Sequence, residues 1–398
     1  MKKENLKLFI SALLLSVFIF TLGGCGQIVI YSYEKESLIP GKELTDANIR
    51  PDEAFYDLKG NSKLAVSFYS EQTRKKQLKF YDIATDKPAL LYKTGAVKDI
   101  YRPVFGANKA VYGVMEGKVW KVMGIDLGAA NKAAKELLTL DNLNAIVVAG
   151  DGKTYTIGRK NNQLSIYENS SSIFNANVIE DLNLDAKGEL IYKFLDKDGA
   201  WFVSVGGQKS EPYNMISRVA VSETGEVGYL AKDKDNNWLG VAGGMPTKLG
   251  KDFDEIGKVL TKNGKVFFSA REKGKSTWGI YKNSRILIED LVDVPEFAVT
   301  SGGDVAYAEN KEEGERYVAN GYVSPFFMQV SQLLESGEGS IFAKVKDQHS
   351  LWNIVEENNQ STKYVWMSKL FLNGNGEVIA VGMDSYNEME TLKFSNKK

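Results

Sequence analysis

One cysteine, one histidine and almost no net charge are the scarcities of this 398-residue chain, and each removes a class of function. A lone cysteine closes no disulfide within the chain and supplies no thiolate metal cluster. A lone histidine, His349, builds no multi-histidine metal site, and no serine stands in an obvious triad context. In the run Lys346-Asp347-Gln348-His349-Ser350 it reads as a polar surface-loop residue ahead of Trp352. With 50 basic and 51 acidic residues the formal net charge is −1, so there is no electrostatic case for a nucleic-acid partner. Helix-forming composition is equally scarce. Residues 129–140 (AANKAAKELLTL) alone have it, and they read as a local insertion or a turn of helix ahead of a strand at 137–140. What remains is 43% hydrophobic and 11% aromatic, enough to build a folded core.

The single cysteine stands at an informative place. Lys2, Lys3 and Lys7 precede an apolar run from Leu8 to Leu22, too short and too unevenly flanked for a membrane span, which reads as a secretory signal. The run ends at Leu22-Gly23-Gly24-Cys25, which resembles the lipobox of bacterial lipoproteins. That resemblance implies cleavage after residue 24, lipidation of Cys25 and a mature chain tethered to the membrane on its extracytoplasmic side. Three lysines and one glutamate leave with residues 1–24, taking the formal net charge from −1 to −3. Residues 34–50, with a Pro-Gly break and mixed charge, read as a spacer between the anchor and the folded body at 51–398.

That body is repetitive. Turn glycines recur at Gly60, Gly106, Gly152, Gly188, Gly225, Gly264, Gly303, Gly339 and Gly376. Six are followed 13 or 14 residues later by a large aromatic: Trp120, Trp201, Trp238, Trp278, Tyr317 and Trp352. Five of the six tryptophans therefore share one slot, which suits an aromatic filling a wedge between packed sheets better than a ring that stacks on a ligand. Each repeat carries four short runs. In the unit 216–249 they are 218–222, 226–231, 238–242 and 246–249, with a hairpin signal at Glu223-Thr224-Gly225 and a tight Gly243-Gly244 turn. Four antiparallel strands per repeat specify an all-β fold, a single β-propeller. Nine turns are present, yet propellers typically close with four to eight blades, so about eight are expected, within a range of seven to nine. The last hairpin lacks an outer strand. The β-branched, aromatic segment 27–33 (QIVIYSY) is expected to supply it by pairing with 389–394.

Tyr81-Asp82-Ile83-Ala84-Thr85-Asp86-Lys87 resembles a strand-and-turn element of TolB-like and WD40-like bacterial propellers, departing from it at Asp86, where their pattern has Gly. The stretch from Gly199-Ala200-Trp201 to Ala231 is similar to their repeat. The resemblance implies the fold and transfers no catalytic residue.

Candidate chemistry is thin. Asp196-Lys197-Asp198-Gly199 and Asp233-Lys234-Asp235-Asn236 have the alternating acids of a calcium loop but lack its distal glutamate, and read as polar hairpin connections. Asp99, Asp181, Glu255 and Asp293 come just before the innermost strands and are the candidate ligand-face residues. The face they share with the longer polar loops 71–76, 272–276 and 310–315 is favoured for recognition, because two-residue turns offer little surface. No metal or cofactor is expected. The expected function is a lipid-anchored, extracytoplasmic binding or scaffold module for a protein, a glycan or an envelope component. The alternative is an envelope carbohydrate-active hydrolase or lyase working through paired carboxylates at the channel mouth.

Overall fold

A computed structural model describes residues 30–39, 49–56, 63–84, 88–106, 108–373 and 375–397. Cys25, residues 40–48, the Gly60 turn and the Asp86 turn lie outside the described residues, and of the anticipated spacer 34–50 the residues 34–39 and 49–50 form strands rather than a linker. Within them the chain forms nine antiparallel sheets, arranged in chain order as blades 1 (49–93), 2 (99–140), 3 (142–175), 4 (178–209), 5 (215–248), 6 (253–291), 7 (297–323), 8 (329–360) and 9 (366–397 with 30–39). Blades 1 to 8 are each ordered as in sequence from an innermost to an outermost strand, for example Phe253–Lys262, Lys265–Glu272, Trp278–Lys282 and Arg285–Leu291 in blade 6. The propeller therefore has nine blades rather than eight. The ninth hairpin becomes a whole blade because its missing strand comes from the other end of the chain.

The alternation of strands gives the ring two distinct faces. Innermost and third strands end where the first-to-second and third-to-fourth turns lie, here called the turn face. The second-to-third loops and the passages between blades lie on the opposite, loop face. Residues 127–134 form an irregular bend rather than a helix, and the strand after them is Lys135–Leu140. Alanine-rich composition loses here to the ladder that Leu138 and Leu140 make with Val122 and Trp120.

No single core exists. Buried apolar side chains fall into nine clusters among the described residues, one for each seam between successive blades. Each buried side chain contributes on the order of 1.5–3 kcal/mol by leaving water. The sheets approach closely. On Gly158 of blade 3 a Cβ would lie 2.3 Å from Leu140 Cδ1 and 2.7 Å from the Asn142 carbonyl oxygen. The aromatic slot sits at or near the start of the third strands. Trp238, Trp278 and Tyr317 are buried, while Trp120, Trp201 and Trp352 are half-buried. Trp238 meets Phe253 of the next blade edge-on at 6.2 Å, with the Lys232 ammonium 4.8 Å over its ring.

Two innermost strands are interrupted. Blade 5 has Met215–Ile216 and Ala220–Val221, and blade 9 has Trp366–Met367 and Phe371–Leu372. A serine hydroxyl replaces a ladder carbonyl at each break: Ser217 Oγ accepts from Leu230 N at 3.0 Å and Ser368 Oγ from Val381 N at 2.9 Å.

Ring closure follows the expected route, with shifted bounds. The strand Ile30–Ile39 pairs antiparallel with Met389–Lys397 and forms the outer edge of blade 9, with Tyr33 opposite Phe394. Residues 27–29 of the anticipated segment lie outside the described residues. Leu38 is buried in the seam that joins blade 9 to blade 1, beside Tyr56, Tyr81, Ile379 and Met389. The strand thus completes one blade and helps to seal the ring. Deleting 30–39 should lower the thermal midpoint sharply, since it removes the edge of blade 9 and a side chain of the closing seam; calorimetry showing an unchanged midpoint would contradict this. Trp238→Ala should cost about 3–5 kcal/mol in chemical denaturation, the usual loss on truncating a buried aromatic.

Candidate functional site in the central channel

An innermost strand is paired on one side only, so its free edge presents unpaired N–H and C=O groups to the channel. In this ring, side chains of one blade reach those groups on the next. Asp181 Oδ2 of blade 4 accepts from Val219 N of blade 5 at 2.9 Å. Lys258 Nζ of blade 6 donates to Phe297 O of blade 7 at 2.7 Å and pairs with Glu296 at 2.7 Å. Glu296 Oε1 in turn accepts from Leu333 N of blade 8 at 3.4 Å. Gln332 of blade 8 takes both groups of Leu370 in blade 9, accepting from its N at 2.8 Å and donating to its O at 3.0 Å. These links span 37 to 39 residues, one repeat. Tyr101 does the same from blade 2, donating to Asn144 O of blade 3 at 2.8 Å. The links are latches between neighbours, and they spend polar groups that would otherwise be available to a ligand.

Below the latches, toward the turn face, the innermost strands of blades 5 to 8 and the end of that of blade 9 enclose a cavity of about 680 Å³. Its wall is mixed, with aliphatic Val221, Leu260, Val299, Leu334 and Leu372 beside polar groups such as Thr261, Lys262 and Glu335. Two of its charged groups are tied together: Lys262 Nζ pairs with Glu335 Oε2 at 2.7 Å and donates to Val299 O at 3.0 Å. The other Glu335 oxygen accepts from Ser301 N and Oγ, at 2.5 and 2.7 Å. The volume lies in the range of small-molecule sites. A second cavity, of about 510 Å³, lies between blades 2 and 3 on the same face and is walled by the 127–134 bend. There Lys109 Nζ donates to Gly152 O and Thr154 Oγ1, both at 3.1 Å, and burial lowers its pKa.

None of the four candidate acids lines either cavity. Asp99 shares the Lys76 ammonium with Asp52, at 3.1 and 3.0 Å. Burial works against that ammonium, but the two carboxylates hold its pKa above the ordinary lysine value. Asp181 adopts a left-handed φ of 55° at a strand irregularity and, besides latching Val219, pairs with Lys193 at 3.2 Å beside Glu180. Glu255 pairs with Arg271 at 2.8 Å, and the exposed Asp293 accepts from Asn310 Nδ2 at 2.9 Å. Each acid therefore has its own partner, and the structure does not gather the four.

The calcium-like loops are explained by turn chemistry. Asp196 Oδ1 accepts from the N–H of Asp198 and of Ala200, both at 2.9 Å. Asp233 Oδ1 does the same for Asp235 and Asn237, and Asp347 for His349 and Leu351. Each aspartate is an Asx cap that organises a hairpin. Among the described residues no three His, Cys, Asp or Glu side chains are grouped to hold a metal ion. Sequence reasoning missed Lys344. Its Nζ donates to Met367 O of blade 9 at 2.8 Å and lies 4.4 Å over the Trp352 ring; burial, and then nearby Lys369, push its pKa down to about 8.

No protein-family model and no curated protein sequence matches the chain. Solved structures similar to it include propeller domains. The β-propeller domain of the Trilobed protease from Pyrococcus furiosus, whose description reports an open velcro topology, has 11% identity and a TM-score of 0.45, over 79% of this chain and 95% of that one. TolB from Acinetobacter baumannii has 14% identity and a TM-score of 0.32, over 63% and 82%. The WD40 domain of SCAP from fission yeast has 8% identity and a TM-score of 0.40, over 92% and 98%.

Gln332→Ala removes both bonds to Leu370 and leaves a strand edge unpaired. It should cost about 1–3 kcal/mol in urea unfolding. A loss near zero would show that water satisfies Leu370 equally well and that the latch is not structural.

Proposed function

We propose that this chain is a lipid-anchored, extracytoplasmic propeller that binds or scaffolds a protein, a glycan or an envelope component. The observation that carries the reading is the direction of the closing strand. Ile30 pairs with Lys397 and Ile39 with Met389, so 30–39 runs from the turn face to the loop face along the rim of blade 9. Cys25 precedes Ile30 by five residues, a reach of about 17 Å at full extension. Lipidation of Cys25 would then hold the ring by its turn face, close to the membrane, with the loop face turned outward. The channel gives little support to catalysis, because Asp181, Glu296 and Glu335 are spent on backbone groups and lysines. A rigid ring with one outward face suits a binding module.

Cys25→Ser should release the protein from membranes or arrest its processing, read by fractionation and by the mass of the mature N-terminus. Normal maturation with full membrane retention would overturn the anchor.

A further inference from the structure

The loop face carries an apolar feature that the repeat places at one position of consecutive blades. The segments that pass from blade to blade begin with a buried residue that bonds back to the preceding blade: Phe327 to Glu315, and Tyr364 to Trp352. The next residue has its N–H engaged by the following second strand, Met328 by Lys346 O and Val365 by Met383 O. Its side chain is thereby turned outward. Met328 is 47% exposed and Val365 41%. In blade 7 the corresponding passage follows buried Leu291 and exposes Val292 (63%) and Val294 (54%). Tyr386, on the second-to-third loop of blade 9, is 80% exposed. Scattered single apolar residues on a surface need no explanation, but recurrence over three adjacent blades on one face does.

The charges around this arc are unbalanced. Lys311 and Arg316 are taken by Glu309 and Lys363 by Asp347, while Lys346, beside Met328, lays its ammonium 5.4 Å over the Trp352 ring. Asp293, Glu312, Glu313 and Glu388 are exposed, and among the described residues no basic side chain pairs with them. An apolar centre with an uncompensated acidic rim is complementary to a surface of opposite pattern. We infer that Val292, Val294, Met328, Val365 and Tyr386 on blades 7 to 9 form a docking surface for an extracytoplasmic protein whose contact patch is apolar and rimmed by lysine or arginine. The inference rests on the anchored reading only for the direction in which this face points.

Photo-crosslinking on the full-length chain in cells tests it. A benzophenone amino acid replaces Met328 or Val365 and, as a control on the turn face, Lys187 between the first two strands of blade 4. The expected result is one adduct with a different protein, formed from 328 and 365 and absent from 187. With the probe at 328, Val292→Glu should reduce the adduct about tenfold or more, as for a charge placed in an interface centre. Glu312→Lys with Glu313→Lys should reduce it as well, and both variants should keep the parent's thermal midpoint. No adduct, an adduct with lipid alone, an adduct of twice the chain mass, or insensitivity to Val292→Glu or to the charge reversal would each overturn the proposal. Failure of the anchor reading registers separately, as membrane retention of Cys25→Ser, and leaves the crosslinking result interpretable.

Discussion

A ring of small sheets has no core until it closes, and every blade here is stable only because a neighbour covers each of its faces. The nine apolar clusters lie between blades. The seam between blade 9 and blade 1 therefore bears on all the others, because leaving it open exposes two sheet faces at once. The chain meets this constraint by bringing 30–39 across to the last blade, where Leu38 enters that seam. A long sequence separation between the paired strands makes the contact costly to form, and valuable once formed.

The second constraint comes from the channel. Nine inner strands present nine free edges, and the preceding blade's side chains cap several of them. This explains why polar residues near the channel, read as candidate ligand or catalytic groups, turn out to have structural partners. Asp181 is the clearest case: a carboxylate positioned as if for chemistry holds Val219 N and Lys193. The functional reading moves accordingly from the reactivity of the channel to the surface of the ring, and to the face opposite the closing strand's first residue.

Blade grammar was readable because turn glycines and strand-initiating aromatics keep their identity from repeat to repeat; Gly225 and Trp238 mark one unit, Gly264 and Trp278 the next. The latches were not readable. They recur at one-repeat spacing but use Asp181, Lys258, Glu296 and Gln332, residues alike only in being polar and long enough to reach a neighbouring backbone. A second signal was present and overlooked: Thr94, Ser210, Ser324 and Ser361 each accept a third-strand N–H, from Leu78, Val203, Tyr317 and Ile354. Blade number was underestimated because a typical ring size was weighed against the nine turn glycines of the sequence. The exposed arc is not legible in the sequence because Val292, Met328 and Val365 sit within or at the ends of short apolar runs, where periodicity cannot tell an outward residue from an inward one.

Amide hydrogen exchange on the native chain tests ring closure most directly, because it needs no substitution. If 30–39 is the closing strand, its ladder amides should be protected as strongly as those of 389–394 and should open with them in one cooperative step. Fast exchange of 30–39 while 389–394 and blade 1 stay protected would contradict the account.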